Sequence, residues 1–177
     1  MGYRRNLGGD FKLSTRLIYS HQFTNSNFEN PVLPNYENRL LEELGDPKDE
    51  FRWNVDVTKG PFTLGYVMRY IGPMYTTTYE SFNALPSACT TNTTPQVCPP
   101  LNTDAFDTLK YPAVFYHNAR FEWKLDGAGF GKDFTFYVGV DNFTNKLLPF
   151  GTTATGAGSS IYNIRGRNWY AGAIARF

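Results

Sequence analysis

The last nine residues, Trp169 to Phe177, read W-Y-A-G-A-I-A-R-F, and no other stretch constrains the fold as tightly. Phe177, Ala175, Ala173, Ala171 and Trp169 fall on one face. Arg176, Ile174, Gly172 and Tyr170 fall on the other, with Asn168 just before them. A period of two is the period of a β-strand. The first face is apolar throughout, with an aromatic at each end, whereas the second carries a cation and an amide. About nine to eleven residues with an apolar middle and aromatic ends form the repeat unit of a transmembrane β-barrel.

The same pattern recurs upstream. In F-K-L-S-T-R-L-I-Y-S, Phe11, Leu13, Leu17 and Tyr19 share a face with Thr15, and Lys12, Ser14, Arg16, Ile18 and Ser20 share the other. Phe51, Trp53, Val55 and Val57 alternate with Arg52, Asn54, Asp56 and Thr58. Lys59-Gly60-Pro61 then turns the chain into Phe62, Leu64, Tyr66, Met68 and Tyr70, which alternate with Thr63, Gly65, Val67, Arg69 and Ile71. This reads as a hairpin with a tight turn. From Tyr111 to Leu125, Ala113, Phe115, Ala119, Phe121, Trp123 and Leu125 lie opposite Val114, Tyr116, Asn118, Arg120, Glu122 and Lys124. His117 falls on the apolar side, where a neutral imidazole hydrogen-bonded to a neighbour is expected. Phe134, Phe136, Val138 and Val140 make a further apolar face, and Asn142 to Lys146 end that strand. The expectation is all-β: about six antiparallel strands of a transmembrane barrel.

The charges fix which face meets lipid. A Lys or Arg on the lipid side near the midplane costs about 2–4 kcal/mol. Lys12, Arg16, Arg52, Arg69 and Arg120 are therefore expected to face the lumen, where cross-strand pairing with Asp56, Glu122 and Asp141 balances them. A mean hydropathy of -0.41 and the lack of a long apolar run exclude a helical membrane protein but not a barrel, half of whose positions face water. A net charge of +1 gives no sign of a nucleic-acid partner.

Connections are expected to alternate: long loops at one end, Asn25 to Asp49 and Gly72 to Lys110, and short turns at the other. That asymmetry belongs to barrels with long extracellular loops and short periplasmic turns. The first long loop carries Pro31, Pro34 and Pro47 and a short helical possibility over Tyr36 to Leu44. Its acidic tail lacks the oxygen spacing of a calcium loop. The second holds Cys89 and Cys98, an isolated pair across a short polar segment. That suits a local disulfide in an oxidising compartment; two free thiols are the alternative. No metal-binding spacing and no cofactor motif is present, and Asp126 to Asp133 is a Gly-rich turn rather than a phosphate loop. No nucleophile-elbow or paired-carboxylate motif points to an enzyme. Aromatics fall into two bands. Tyr19, Phe51, Trp53, Tyr70, Tyr111, Phe143 and Trp169 are expected near the outer ends, and Phe11, Phe62, Trp123, Phe134 and Phe177 near the inner ends.

Two segments carry a family resemblance. V-G-V-D-N-F-T-N-K-L-L-P (Val138 to Pro149), followed by a Gly-rich loop and G-R-N-W-Y-A-G-A-I-A-R-F (Gly166 to Phe177), resembles the end of TonB-dependent outer-membrane transporters. Trp53 to Gly72 is similar to a late hairpin of that family. The chain departs from the family pattern where Phe143 directly follows Asn142 and Thr144-Asn145 stand in place of the common Asp. The resemblance implies that residues 1–177 form the carboxyl-terminal part of a barrel of about twenty-two strands. Such a barrel imports a siderophore, vitamin or glycan-like ligand across the outer membrane of a Gram-negative bacterium. Trp169 and Phe177 would be its closing-strand signature. The implied partners are outer-membrane lipid, the remainder of the barrel with its plug domain, and, through that plug, the TonB complex. The chain shows neither a plug nor a signal peptide, so it is expected to be a piece of a longer protein or one half of a split barrel. A passive porin-like or adhesin barrel, and a soluble β-barrel or sandwich binding protein, are the alternatives.

Overall fold

Tight turns set the register of the sheet. Strands β1 (Gly2–Gly8) and β2 (Phe11–His21) meet at Gly9-Asp10, where both residues have positive φ, 57° and 65°, as a type I′ hairpin requires. After two short strands, β3 (Ser26–Asn27) and β4 (Asn38–Arg39), strand β5 (Asp49–Lys59) turns at Gly60-Pro61 into β6 (Phe62–Ile71). Lys59 faces Phe62, and Gly60 has φ 52°, the position where a type II′ turn calls for glycine. Strands β7 (Met74–Tyr75), β8 (Lys110–Tyr111), β9 (Val114–Leu125), β10 (Asp133–Asp141) and β11 (Asn168–Arg176) complete the chain. The computed structural model describes residues 1–28, 31–32, 34–35, 37–76, 78, 110–125, 127, 133–149 and 161–176.

The long strands form one antiparallel sheet of seven, in the order β1-β2-β5-β6-β9-β10-β11. Sequence neighbours are space neighbours throughout. The sheet is open among the described residues, with β1 and β11 as its edges. The expected alternation of connections holds at both ends. Strands β1–β2 and β5–β6 are joined by two residues each, and 22–48, 72–113 and 142–167 emerge at the opposite end.

Several expectations need correction. Among the described residues the sheet has seven strands where about six were expected. Residues 2–8 pair with β2 although Arg4-Arg5 spoils their alternation, because the exposed edge of β2 supplies the ladder. Residues 38–44 are not helical. Asn38–Arg39 pairs with Ser26–Asn27, and turns follow. Strand β5 starts at Asp49 rather than Phe51. Pro112, which has no amide hydrogen to give a ladder, separates Lys110–Tyr111 from β9, and the pair forms its own ladder with Met74–Tyr75 instead. Tyr111 is therefore buried rather than part of an exposed aromatic band.

The packed core is small and lies at the long-loop end. Ile71, Met74, Val114, Tyr116 and Tyr162 form it, with Leu44, Leu148 and Ile161 against it. Ile71 and Val114 share the charged face of the sheet, so Leu44, Met74, Leu148, Ile161 and Tyr162 pack over that face, and the other is uncovered among the described residues.

Candidate functional site

The ladders place side chains from all the long strands in shared rows. One row runs Leu13–Val57–Leu64–Phe121–Val138–Ala171, and another Leu17–Trp53–Met68–His117. Among the described residues nothing covers this face. Leu64 is 55% exposed, Val138 44% and Trp169 68%. Tyr19, Trp53, Phe62, Phe115, Phe121, Trp123 and Phe136 are exposed beside them. An aromatic side chain carries roughly 150–250 Å². The open apolar face is therefore on the order of 1,000 Å², beyond the roughly 300–600 Å² of the largest patch on a typical soluble monomer.

Rings knit this face together. Phe51 stacks on Tyr70 at 5.1 Å, Phe62 on Phe121 at 5.8 Å, and Tyr66 on His117 at 6.1 Å. Its polar atoms pair with one another. Trp53 Nε1 donates to Thr15 Oγ1 at 2.8 Å, and the Tyr66 hydroxyl lies 2.7 Å from His117 Nδ1. The expected hydrogen-bonded histidine is thus found. Two cations stand on the apolar face, both toward the short-turn end. Lys59 lies over the Phe11 ring at 4.6 Å, and Arg5 faces Leu13. Long stems let such groups reach an interface from the edge of an apolar band.

All five cations expected to share the polar face do so. Arg16 faces Asn54, Lys12 faces Thr58, Arg52 faces Arg69, and Arg120 faces Gly65 and Gly139. Arg120 donates to Glu122 at 2.9 Å and covers the Tyr137 ring at 4.6 Å. Arg69 lies 4.0 Å from Glu50 and donates to the Ile161 carbonyl at 3.0 Å. Among the described residues Lys12, Arg16 and Arg52 make no ion pair, and neither Asp56 nor Asp141 pairs with a cation. The expected balance of charge is met at Glu122 alone, and Glu50 was not foreseen.

The polar face also holds a reciprocal fit. The Tyr170 ring covers Gly139, and the Tyr137 ring covers Gly172, each opposite its partner in the ladder. A Cβ at either glycine would run into the facing ring. Beside this fit, Asn142 ends β10 with φ 51° and a fully buried side chain. Its Nδ2 donates to the Lys146 carbonyl and its Oδ1 accepts from the Lys146 amide, both at 2.8 Å. Asn145 Oδ1 then accepts from the Arg167 amide at 3.0 Å, tying the turn to the start of β11.

At the long-loop end Asp49 Oδ1 accepts from the Tyr19 hydroxyl and meets His21 Nδ1, each at 2.6 Å, and closes the β2–β5 ladder. Tyr162 is buried without a partner for its hydroxyl among the described residues; burial raises its pKa and keeps it neutral. Tyr116 and Asn118 stand on the polar face as expected, though not among the site residues foreseen, and Asn163 joins them. The alternation of β9 places the first two, whereas no local pattern marks Asn163. Cys89, Cys98, Phe177 and most of 72–110 lie outside the described residues. No group of side chains suited to a metal is found among the described residues. Set against known protein families, curated proteins and solved structures, the chain has no significant match.

Proposed function

We propose that this chain is the carboxyl-terminal wall of a TonB-dependent outer-membrane transporter. The carrying observation is the open apolar face, whose strands carry aromatics toward their ends and whose reverse side holds the charges. A soluble sheet of this size would bury that face and solvate the other. The dimensions agree. Eleven residues of β5 at about 3.3 Å each, tilted by about 45°, rise about 25 Å, the height of the apolar band of a bacterial outer-membrane barrel. Seven strands whose two edges are bare among the described residues need further strands to close, because unpaired backbone groups in hydrocarbon cost several kcal/mol each. Those strands and the plug belong to the remainder of the protein, and the long loops contribute to capturing the ligand outside.

The active and passive alternatives separate in whole cells. Full-length protein is expected in the outer-membrane fraction, with uptake of its ligand that stops when the proton-motive force is dissipated. Uptake that continues without that force would make the barrel porin-like. Recovery of the full-length protein in the soluble fraction would overturn the membrane assignment.

A further inference from the structure

Arg52 and Arg69 face one another directly across the β5–β6 ladder, an arrangement that by itself destabilises the sheet. With Val67, Tyr116, Asn118 and Asn163 they line a polar cavity of about 220 Å³ on the charged face. The hydrogen bonds around this cavity leave one kind of polar atom unused. The Tyr116 oxygen accepts from the Asn163 amide at 3.1 Å, so its O–H remains to donate. Asn118 Oδ1 accepts from the Asn142 amide at 2.8 Å, which fixes its orientation and leaves Nδ2 without a partner among the described residues. Asn163 Oδ1 accepts from the Arg165 amide at 3.0 Å with the same consequence. Arg69 uses one nitrogen on the Ile161 carbonyl, with Glu50 4.0 Å from another, and Arg52 has no partner among the described residues. Among the described residues no carboxylate lines the cavity.

We propose that this cavity is an oxyanion site, taking a carboxylate or phosphate group carried by a small solute. Guanidinium groups meet such groups through paired N–H donors, and a bound anion offsets the repulsion between Arg52 and Arg69. The volume is below the roughly 300–1,000 Å³ of sites that enclose a whole drug-sized ligand. The cavity therefore holds the anionic end of a solute whose bulk lies elsewhere. Placing it inside a transporter rests on the barrel assignment, whereas its donor chemistry does not.

The test uses full-length protein in detergent micelles, titrated calorimetrically with inorganic phosphate and, separately, with citrate. Saturable binding of at least one probe is expected. Arg52→Gln should weaken it by about tenfold or more, as loss of a hydrogen bond to a charged group does. Tyr116→Phe should weaken it less, and Arg176→Gln, at the short-turn end, should leave it unchanged. The bound probe should also raise the melting temperature of the wild type and not that of Arg52→Gln. A purely structural Arg52 would leave that increment intact, and this result would overturn the proposal. So would the absence of saturable binding by either probe, or equal binding by wild type and Arg52→Gln. Protein that inserts into vesicles yet binds neither anion refutes the site alone. Protein that binds an anion yet stays out of lipid refutes the barrel alone.

Discussion

Asn142 concentrates more of the local structure than any other side chain. It sits in the left-handed region at full burial and satisfies both the amide and the carbonyl of Lys146. An alanine there would leave those two groups unpaired and would also carry the cost of positive φ. At about 1–3 kcal/mol for each lost partner and 1–2 for the backbone, Asn142→Ala should cost about 3 kcal/mol or more. Asn142→Gly should recover only the backbone part. Denaturant unfolding of the two variants in micelles checks the order: wild type, then glycine, then alanine. This residue was partly legible beforehand, because the alternating run stops at Asn142-Phe143-Thr144-Asn145-Lys146, which marks a strand end. Its burial was not, since that depends on Asn118 of a neighbouring strand accepting its amide hydrogen.

At the scale of strands, alternation did most of the predictive work, because a period of two is unambiguous wherever charges fill one face. Strands β2, β5, β6, β9, β10 and β11 were readable for that reason, as was the grouping of five cations on one side. Strand β1 was missed because Arg4 and Arg5 are adjacent, so one of them must stand on the apolar face whatever the register. The fringe of the sheet at the long-loop end was also hidden. There 72–76, 110–116 and 161–163 pack by contacts distant in sequence, and the buried places of Tyr111 and Tyr162 follow from them. The pairing of β10 with β11 rests on the two ring-over-glycine contacts, which fix both separation and register. Gly172→Ala should therefore be destabilising, since its methyl overlaps the Tyr137 ring, and Tyr137→Ser in the same chain should relieve part of that loss. A double-mutant cycle measured by unfolding gives the coupling. Strict additivity of the two changes would show that the rings do not hold the strands.

For the molecule as a whole, the distribution of burial matters more than any single contact. Among the described residues the sheet keeps its core at one end, leaves about 1,000 Å² of apolar surface open on one side, and gathers most of its charges, cations in excess, on the other. In water that arrangement invites aggregation. As part of a closed wall around an aqueous bore, each face meets a matching solvent. The ligand of the proposed transporter was not legible, because a face of mixed charges does not specify the rest of a molecule. The most direct measurement is solvent contact by spin labels in full-length protein reconstituted into bilayers. Labels are placed singly in a background where Cys89 and Cys98 are replaced by Ser. Labels at Val55, Leu64 and Val138 should contact lipid-soluble oxygen, and labels at Asn54 and Arg120 should contact a water-soluble quencher. Water contact at the first three with lipid contact at the last two, or water contact at all five, would contradict membrane insertion of this sheet.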